Sequence, residues 1–121
     1  MFGLFRSTSA PEDVSPAAAQ ALIAQGAPVV DVREPNEFAA GAIKGSINVP
    51  LGAIQQHGSA ALADAAIDVQ APHILLVCRS GNRSGQACAA LRGSLGARGH
   101  NLAGGVIAWG NQGLPLSPGG V

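Results

Sequence analysis

One stretch of this chain gathers groups able to do covalent chemistry: Val77-Cys78-Arg79-Ser80-Gly81-Asn82-Arg83-Ser84. A cysteine attacks as its thiolate, so what matters is whether its surroundings favour negative charge. Arg79 and Arg83 bring two positive charges to the segment. Gly81 and Asn82 tolerate unusual dihedrals, which lets a tight loop turn its backbone N–H groups inward as an anion cradle. A helix starting just after the loop adds partial positive charge at its N-terminus. All three favour thiolate over thiol, so the sequence predicts a Cys78 pKa below that of a free cysteine. The chemistry is nucleophilic attack by Cys78 on an anionic substrate held by Arg79, Ser80, Gly81, Asn82, Arg83 and Ser84. Read instead as a buried small hydrophobe, Cys78 leaves its flanking arginines unexplained.

The remaining chemically capable residues read as structural. Cys88 falls among alanines and leucines on the apolar face of a helix. A Cys78–Cys88 disulfide would have to bridge a strand end to the second or third turn of that helix, which the bond's short reach disfavours. His57, His73 and His100 show no metal-ligand spacing, so no metal site is expected. His73 reads as a surface residue rather than a general base. Asp31, Arg33 and Glu37 cluster at a strand end and read as an ion-pair scaffold. Gly104-Gly105 reads as a turn into a last helix, with Trp109 at the core or its rim.

The elements that must position the loop follow from periodicity. Ile74-Leu-Leu-Val-Cys78 is apolar on both parities, as in a central parallel strand covered on both faces. Ser84 can cap a helix carrying Ala87, Cys88, Leu91 and Leu95 on one face. Upstream, Ser15-Pro16 is an N-cap with a first-turn proline, and that helix runs to Ile23 and stops at Gly26. Val29–Val32 and Ser46–Val49 read as strands, Phe38–Ala42 as one helical turn, and Ser59–Ile67 as a helix. Downstream, a weak strand ends near Leu102, and a short helix around Trp109 is closed by Gly113-Leu-Pro115. Strands alternating with helices predict an α/β domain with a parallel sheet, its reactive loop outside the carboxyl end of a strand.

Composition sets the bounds. At 121 residues with 47% apolar types, the chain suits one domain with a core, and aromatics at 3% leave Ala, Leu, Ile and Val to fill it. Seven basic residues balance seven acidic ones, which argues against general attraction to nucleic acid or anionic lipid. Every acidic residue lies at or before Asp68, and Arg79, Arg83, Arg92 and Arg98 are the only formal charges after it, so the second half is the natural home of an anion site. Met1 to Arg6 lacks the pattern of a secretory signal, and the glycines and prolines of Gly99 to Val121 disqualify it as a membrane helix. Two cysteines make no disulfide framework, so a cytoplasmic setting is expected. The domain plan is a flexible arm over 1–12, a domain over 13–117 and a tail over 118–121. Phe2, Leu4 and Phe5 of the arm are expected to pack on the domain's own surface.

In its motifs the chain resembles the rhodanese family, in particular the single-domain members, from about Ala17 to Pro115. Three ordered blocks carry the likeness: Val30-Asp-Val-Arg-Glu34 with Glu37-Phe38 and Gly45-Ser-Ile-Asn-Val-Pro50; Cys78-Arg-Ser-Gly-Asn-Arg-Ser84; and Leu102-Ala-Gly-Gly-Val106 with Trp109 and Gly113-Leu-Pro115. The resemblance implies a rhodanese-like α/β fold, a single five-stranded parallel sheet sandwiched between helices. It also implies a Cys78 that carries a sulfane sulfur as a persulfide, with Arg79 and Arg83 on anion-binding positions. Four residues separate Cys78 from Arg83, whereas cysteine phosphatases of the related fold resemble Cys-x5-Arg. The shorter loop suits one added sulfur atom and disfavours a phosphatase or arsenate reductase. The expected function is sulfur transfer from an anionic donor such as thiosulfate to cyanide or a thiol, without a cofactor because the sulfur rides on the protein. A non-enzymatic persulfide carrier that docks a partner is the alternative. A sulfur-acceptor protein is a further expected partner, and monomer and homodimer both stay open.

Overall fold

Two apolar runs, Val29-Val30 and Ile74–Val77, lie in neighbouring inner strands of a parallel sheet. The structure, a computed structural model, describes residues 13–120, so the arm expected over 1–12 lies outside the described residues. The sheet has five strands: β1 (Asp13–Val14), β2 (Val29–Asp31), β3 (Ile47–Asn48), β4 (Ile74–Val77) and β5 (Gly99–Leu102). All pairings are parallel, in the order β1-β5-β4-β2-β3. The helices are α1 (Pro16–Ala24), α2 (Pro35–Ala40), α3 (Leu51–His57), α4 (Ser59–Asp64), α5 (Asn82–Ala90), α6 (Arg92–Leu95) and α7 (Gly105–Asn111), with a 3-10 turn over Gly96–Arg98. The five-stranded parallel sheet that the family resemblance implied is the one observed.

Strand β4 shows why the sheet must be covered twice. Ile74 and Leu76 pack with Val30, Ile54, Leu62 and Leu91 on one face. Leu75 and Val77 pack with Ala19, Ile43, Leu102 and Trp109 on the other. Alternation of side chains along a strand sends these pairs to opposite faces, and both are buried. Truncating one such residue, Leu75→Ala, would cost about 2–5 kcal/mol through lost transfer energy and the cavity left behind. Trp109 therefore belongs to the core, its indole N–H donating to the Pro115 carbonyl at 3.0 Å.

Local signals place several helix starts. Ser15 Oγ accepts from the Ala18 N–H at 3.1 Å with Pro16 in the first turn, as the sequence predicts. Glu34 and Glu37 form a reciprocal capping box at the start of α2. Other boundaries differ from expectation. Ser84 is not a cap: α5 begins at Asn82 with Gly81 in the cap position, so Ser84 lies inside the helix and is buried. Gly81 has φ +99, a left-handed turn out of the loop that needs no side-chain cap. The single helix expected to carry Leu91 and Leu95 divides, α5 ending at Ala90 and Leu95 closing α6. The one-turn helix expected over Phe38–Ala42 sits earlier, because Pro35 starts α2. Strand β1 and helix α3 have no counterpart in the sequence reading. Ser117 bridges antiparallel to Ala42, and the Gly119 N–H reaches the Ala39 carbonyl at 3.3 Å, so the chain stays on the domain beyond residue 117.

Candidate active site

The strand order places β4 between β5, which follows it in sequence, and β2, which precedes it. The order thus reverses between β4 and β2, and the crevice outside the carboxyl ends of strands at such a point is where open α/β sheets bind ligands. Cys78 stands there, one residue past the end of β4 and only 1% exposed. The Gly81 N–H donates to its Sγ at 3.0 Å, and the Ser84 hydroxyl lies 3.3 Å from the same sulfur. The sulfur is the floor of a tight turn.

Helix α7 shapes that turn from outside. The Val106 N–H donates to the Cys78 carbonyl at 2.9 Å and the Ile107 N–H to the Arg79 carbonyl at 3.1 Å. With those two oxygens engaged by α7, the loop's own N–H groups are left to face the sulfur. Such an approach needs glycine: at Gly105, with φ +61, a Cβ would stand 2.3 Å from the Arg79 oxygen. The Gly104-Gly105 pair is therefore a clamp on the reactive loop as well as a turn into α7.

Burial by itself pushes the Cys78 thiol up, since it penalises the charged form. The Ser84 hydroxyl and the backbone N–H groups of Ser84, Gly81 and Ser80 more than offset it, and the thiol lies below its ordinary value. The direction agrees with expectation, as does the part assigned to inward N–H groups; the weight given to the guanidinium groups of Arg79 and Arg83 is corrected, since these donors come first. Arg83 makes a two-point ion pair with Glu37, Nη1 to Oε1 at 2.7 Å and Nη2 to Oε2 at 2.9 Å. The Arg83 hydrogen bonds, then the Glu34 N–H, pull the Glu37 carboxyl down to about 2. The Arg83 charge is accordingly already paired with a carboxylate. Arg79, Ser80 and Asn82 are exposed around the loop.

The Asp31–Arg33 scaffold holds this frame. Arg33 Nη2 bonds Asp31 Oδ2 at 2.8 Å and the Gly41 carbonyl at 2.7 Å, both side chains being buried. Asn48 Nδ2 ties the carbonyls of Asp31 and Arg33 at 3.0 and 2.9 Å. The end of β2 and the start of α2 are thereby fixed, and with them Glu37. Cys88 is buried in the core, and no disulfide joins it to Cys78. His73 and His100 lie at the amino ends of β4 and β5, away from the sulfur, their rings meeting at 2.9 Å between Nδ1 and Nε2.

Sequence reasoning missed Asn101. Its side chain is buried, accepts from the Ser84 hydroxyl at 2.5 Å and donates to the Gly81 carbonyl at 3.1 Å. The available signal was an asparagine inside a predicted strand, three residues before the glycine pair.

A family model described as a rhodanese-like domain matches residues 15–112. A sulfurtransferase of Allochromatium vinosum is 39% identical over 88 residues, covering 73% of this chain and 76% of that protein. The thiosulfate sulfurtransferase GlpE of Pseudomonas entomophila is 38% identical over 96 residues, covering 79% and 82%. Among solved structures, a human single-domain sulfurtransferase matches with a TM-score of 0.71 at 28% identity, over 86% of this chain and 98% of that one.

Proposed function

The chain belongs to the rhodanese-like domain family, and from that premise we propose that it is a sulfurtransferase working through a persulfide on Cys78. The Cys78 thiolate attacks the outer sulfur of an anionic donor, for which thiosulfate is the simplest choice. The new S–S bond joins that sulfur to Cys78, the donor's own S–S bond breaks, and sulfite leaves with the bonding pair. The negative charge of the persulfide then rests on the outer sulfur, in reach of the inward N–H groups. An acceptor, cyanide or a thiolate, attacks the outer sulfur and carries it off as thiocyanate or a new persulfide, and Cys78 returns as thiolate. Small molecules and a sulfur-acceptor protein can both serve as acceptors.

The observation that supports this best is the depth and size of the site. A sulfur 1% exposed, at the floor of a Cys-x4-Arg turn and already hydrogen-bonded by an amide, admits a slim incoming atom more readily than a tetrahedral phosphate. Among the described residues no helix is long and apolar enough to cross a membrane, and the proposed reaction needs none.

Intact-mass measurement tests the proposal. Incubation with thiosulfate should add the mass of one sulfur atom, mapped to Cys78, and cyanide should remove it with release of thiocyanate. Cys78→Ser should abolish both, whereas Cys88→Ala should keep both. Loading that never turns over with small acceptors would favour a carrier. Cys78-dependent release from p-nitrophenyl phosphate, with no sulfur gained, would overturn the reading.

A further inference from the structure

The buried amide of Asn101 is committed at every position. Its Nδ2 donates to Asp13 Oδ1 on β1 at 3.0 Å and to the Gly81 carbonyl at 3.1 Å. Both partners accept, so they use both amide hydrogens and fix which way the group points. Oδ1 therefore faces Ser84 Oγ, 2.5 Å away. An amide oxygen can only accept, so this bond requires the Ser84 hydrogen. Cys78 Sγ lies 3.3 Å from the same Oγ. Ser84 has one hydrogen and two claimants.

We propose that Asn101 is a positioning residue that governs the reactive sulfur through Ser84, holding the serine hydrogen while Cys78 is uncharged and yielding it to Sγ when Cys78 is a thiolate. In the thiol the S–H donates to Oγ, and Oγ–H donates to Asn101 Oδ1. On ionisation the serine hydroxyl rotates towards sulfur, because a charged acceptor outcompetes a neutral amide oxygen. A persulfide carries its charge on the outer atom, so the hydrogen then returns to Asn101. The place of this rotation in a catalytic cycle rests on the persulfide reading, but the rotation itself requires only that Cys78 ionise. The charged groups around the relay are Asp13 on β1, Arg79 in the loop, and Arg83 on α5 with its partner Glu37 on α2. None of them changes in the variants below.

The test is a double-mutant cycle read by the pH midpoint of Cys78 alkylation, mapped by mass, with no sulfur donor present. Four proteins are compared: the parent, Ser84→Ala, Asn101→Ala and the double variant. Removing Asn101 also cuts the Gly81 tether, but that loss is common to both Asn101 variants and cancels in the cycle. Ser84→Ala should raise the midpoint by about one unit more in the Asn101→Ala background than in the parent, roughly tenfold in thiolate fraction. Equal shifts in the two backgrounds, or a larger shift in the parent, overturn the proposal. Asn101→Val, close in size to asparagine, takes the place of Asn101→Ala if that variant does not fold. Since thiosulfate plays no part, failure here leaves the sulfurtransferase reading standing, and failure of sulfur loading leaves this one testable.

Discussion

Strands β4 and β5 lie side by side, and their two ends are finished in different ways. At the amino end, Arg98 Nη1 donates to the carbonyls of Val69 and Ala71 at 2.8 Å each, and Nη2 to that of Ser94 at 3.2 Å. A full positive charge is spent there on main-chain oxygens that never change state. At the carboxyl end, N–H and O–H donors converge on one sulfur atom, and the nearby cation, Arg83, is held by a carboxylate on another helix. The first arrangement fastens chain to chain. The second surrounds a nucleophilic atom, and one of its donors, the Ser84 hydroxyl, has a second acceptor in Asn101. Polar groups thus serve cohesion or reactivity according to whether their acceptor is fixed.

If that contrast holds, the largest effect should come from disturbing the clamp of α7 on the loop. Gly105→Ala would put a Cβ 2.3 Å from the Arg79 oxygen at a left-handed φ. The loop must move. Displacements of about 1 Å can cost roughly a hundredfold in rate, and a strained backbone about 1–3 kcal/mol in stability. Rates of sulfur loading and thermal melts should show both losses, with Gly110→Ala, where nothing lies within 4 Å, as the harmless control. Normal loading by Gly105→Ala would break the claim that α7 shapes the site.

A smaller effect should follow from unpairing Arg83. Glu37→Gln leaves the guanidinium free, so the KM for thiosulfate should fall by about twofold to tenfold and depend more steeply on salt. Arg83→Ala should raise it. Because the Glu37 carboxyl is depressed from 4.5 to about 2, the pair's contribution is present above pH 4.5 and lost only as pH falls through about 2. The parent's KM should therefore show no step attributable to Glu37 between pH 7 and 5. A KM indifferent to both substitutions would mean that amide geometry alone binds the donor.

The smallest effect on chemistry should come from the amino end. Arg98→Ala removes donors from three carbonyls and should lower stability by about 1–3 kcal/mol, measurable by denaturant melts, while leaving sulfur loading at the parent rate. A loading defect there would show that the two ends are coupled.

How much of this was legible in the sequence depended on range. The buried strand Ile74–Val77, the Ser15 cap and the loop from Cys78 to Ser84 are written in adjacent residues; a parallel sheet follows from strands alternating with helices, and its count of five came from the family resemblance. Strand β1 spans only two residues and α3 has no side-chain cap, so neither leaves a local signature. The weight of the arginines was misjudged because closeness in sequence stood in for closeness in space. Arg83 sits near Cys78 along the chain, yet its hydrogen bonds go to Glu37, 46 positions away. Asn101 reaches Ser84 across 17 positions, a separation at which no residue pattern marks a partner.

The two main-chain bonds from α7 to the carbonyls of Cys78 and Arg79 mean that the reactive turn is not a portable cassette. Grafting residues 78–84 onto a different parallel-sheet scaffold would deliver the thiol without the backrest that keeps its carbonyls averted. An engineer would need to move the stretch from 99 to 107 along with it. For the same reason, a single inserted residue beside Ala103 could silence a duplicated copy whose cysteine signature still looked intact.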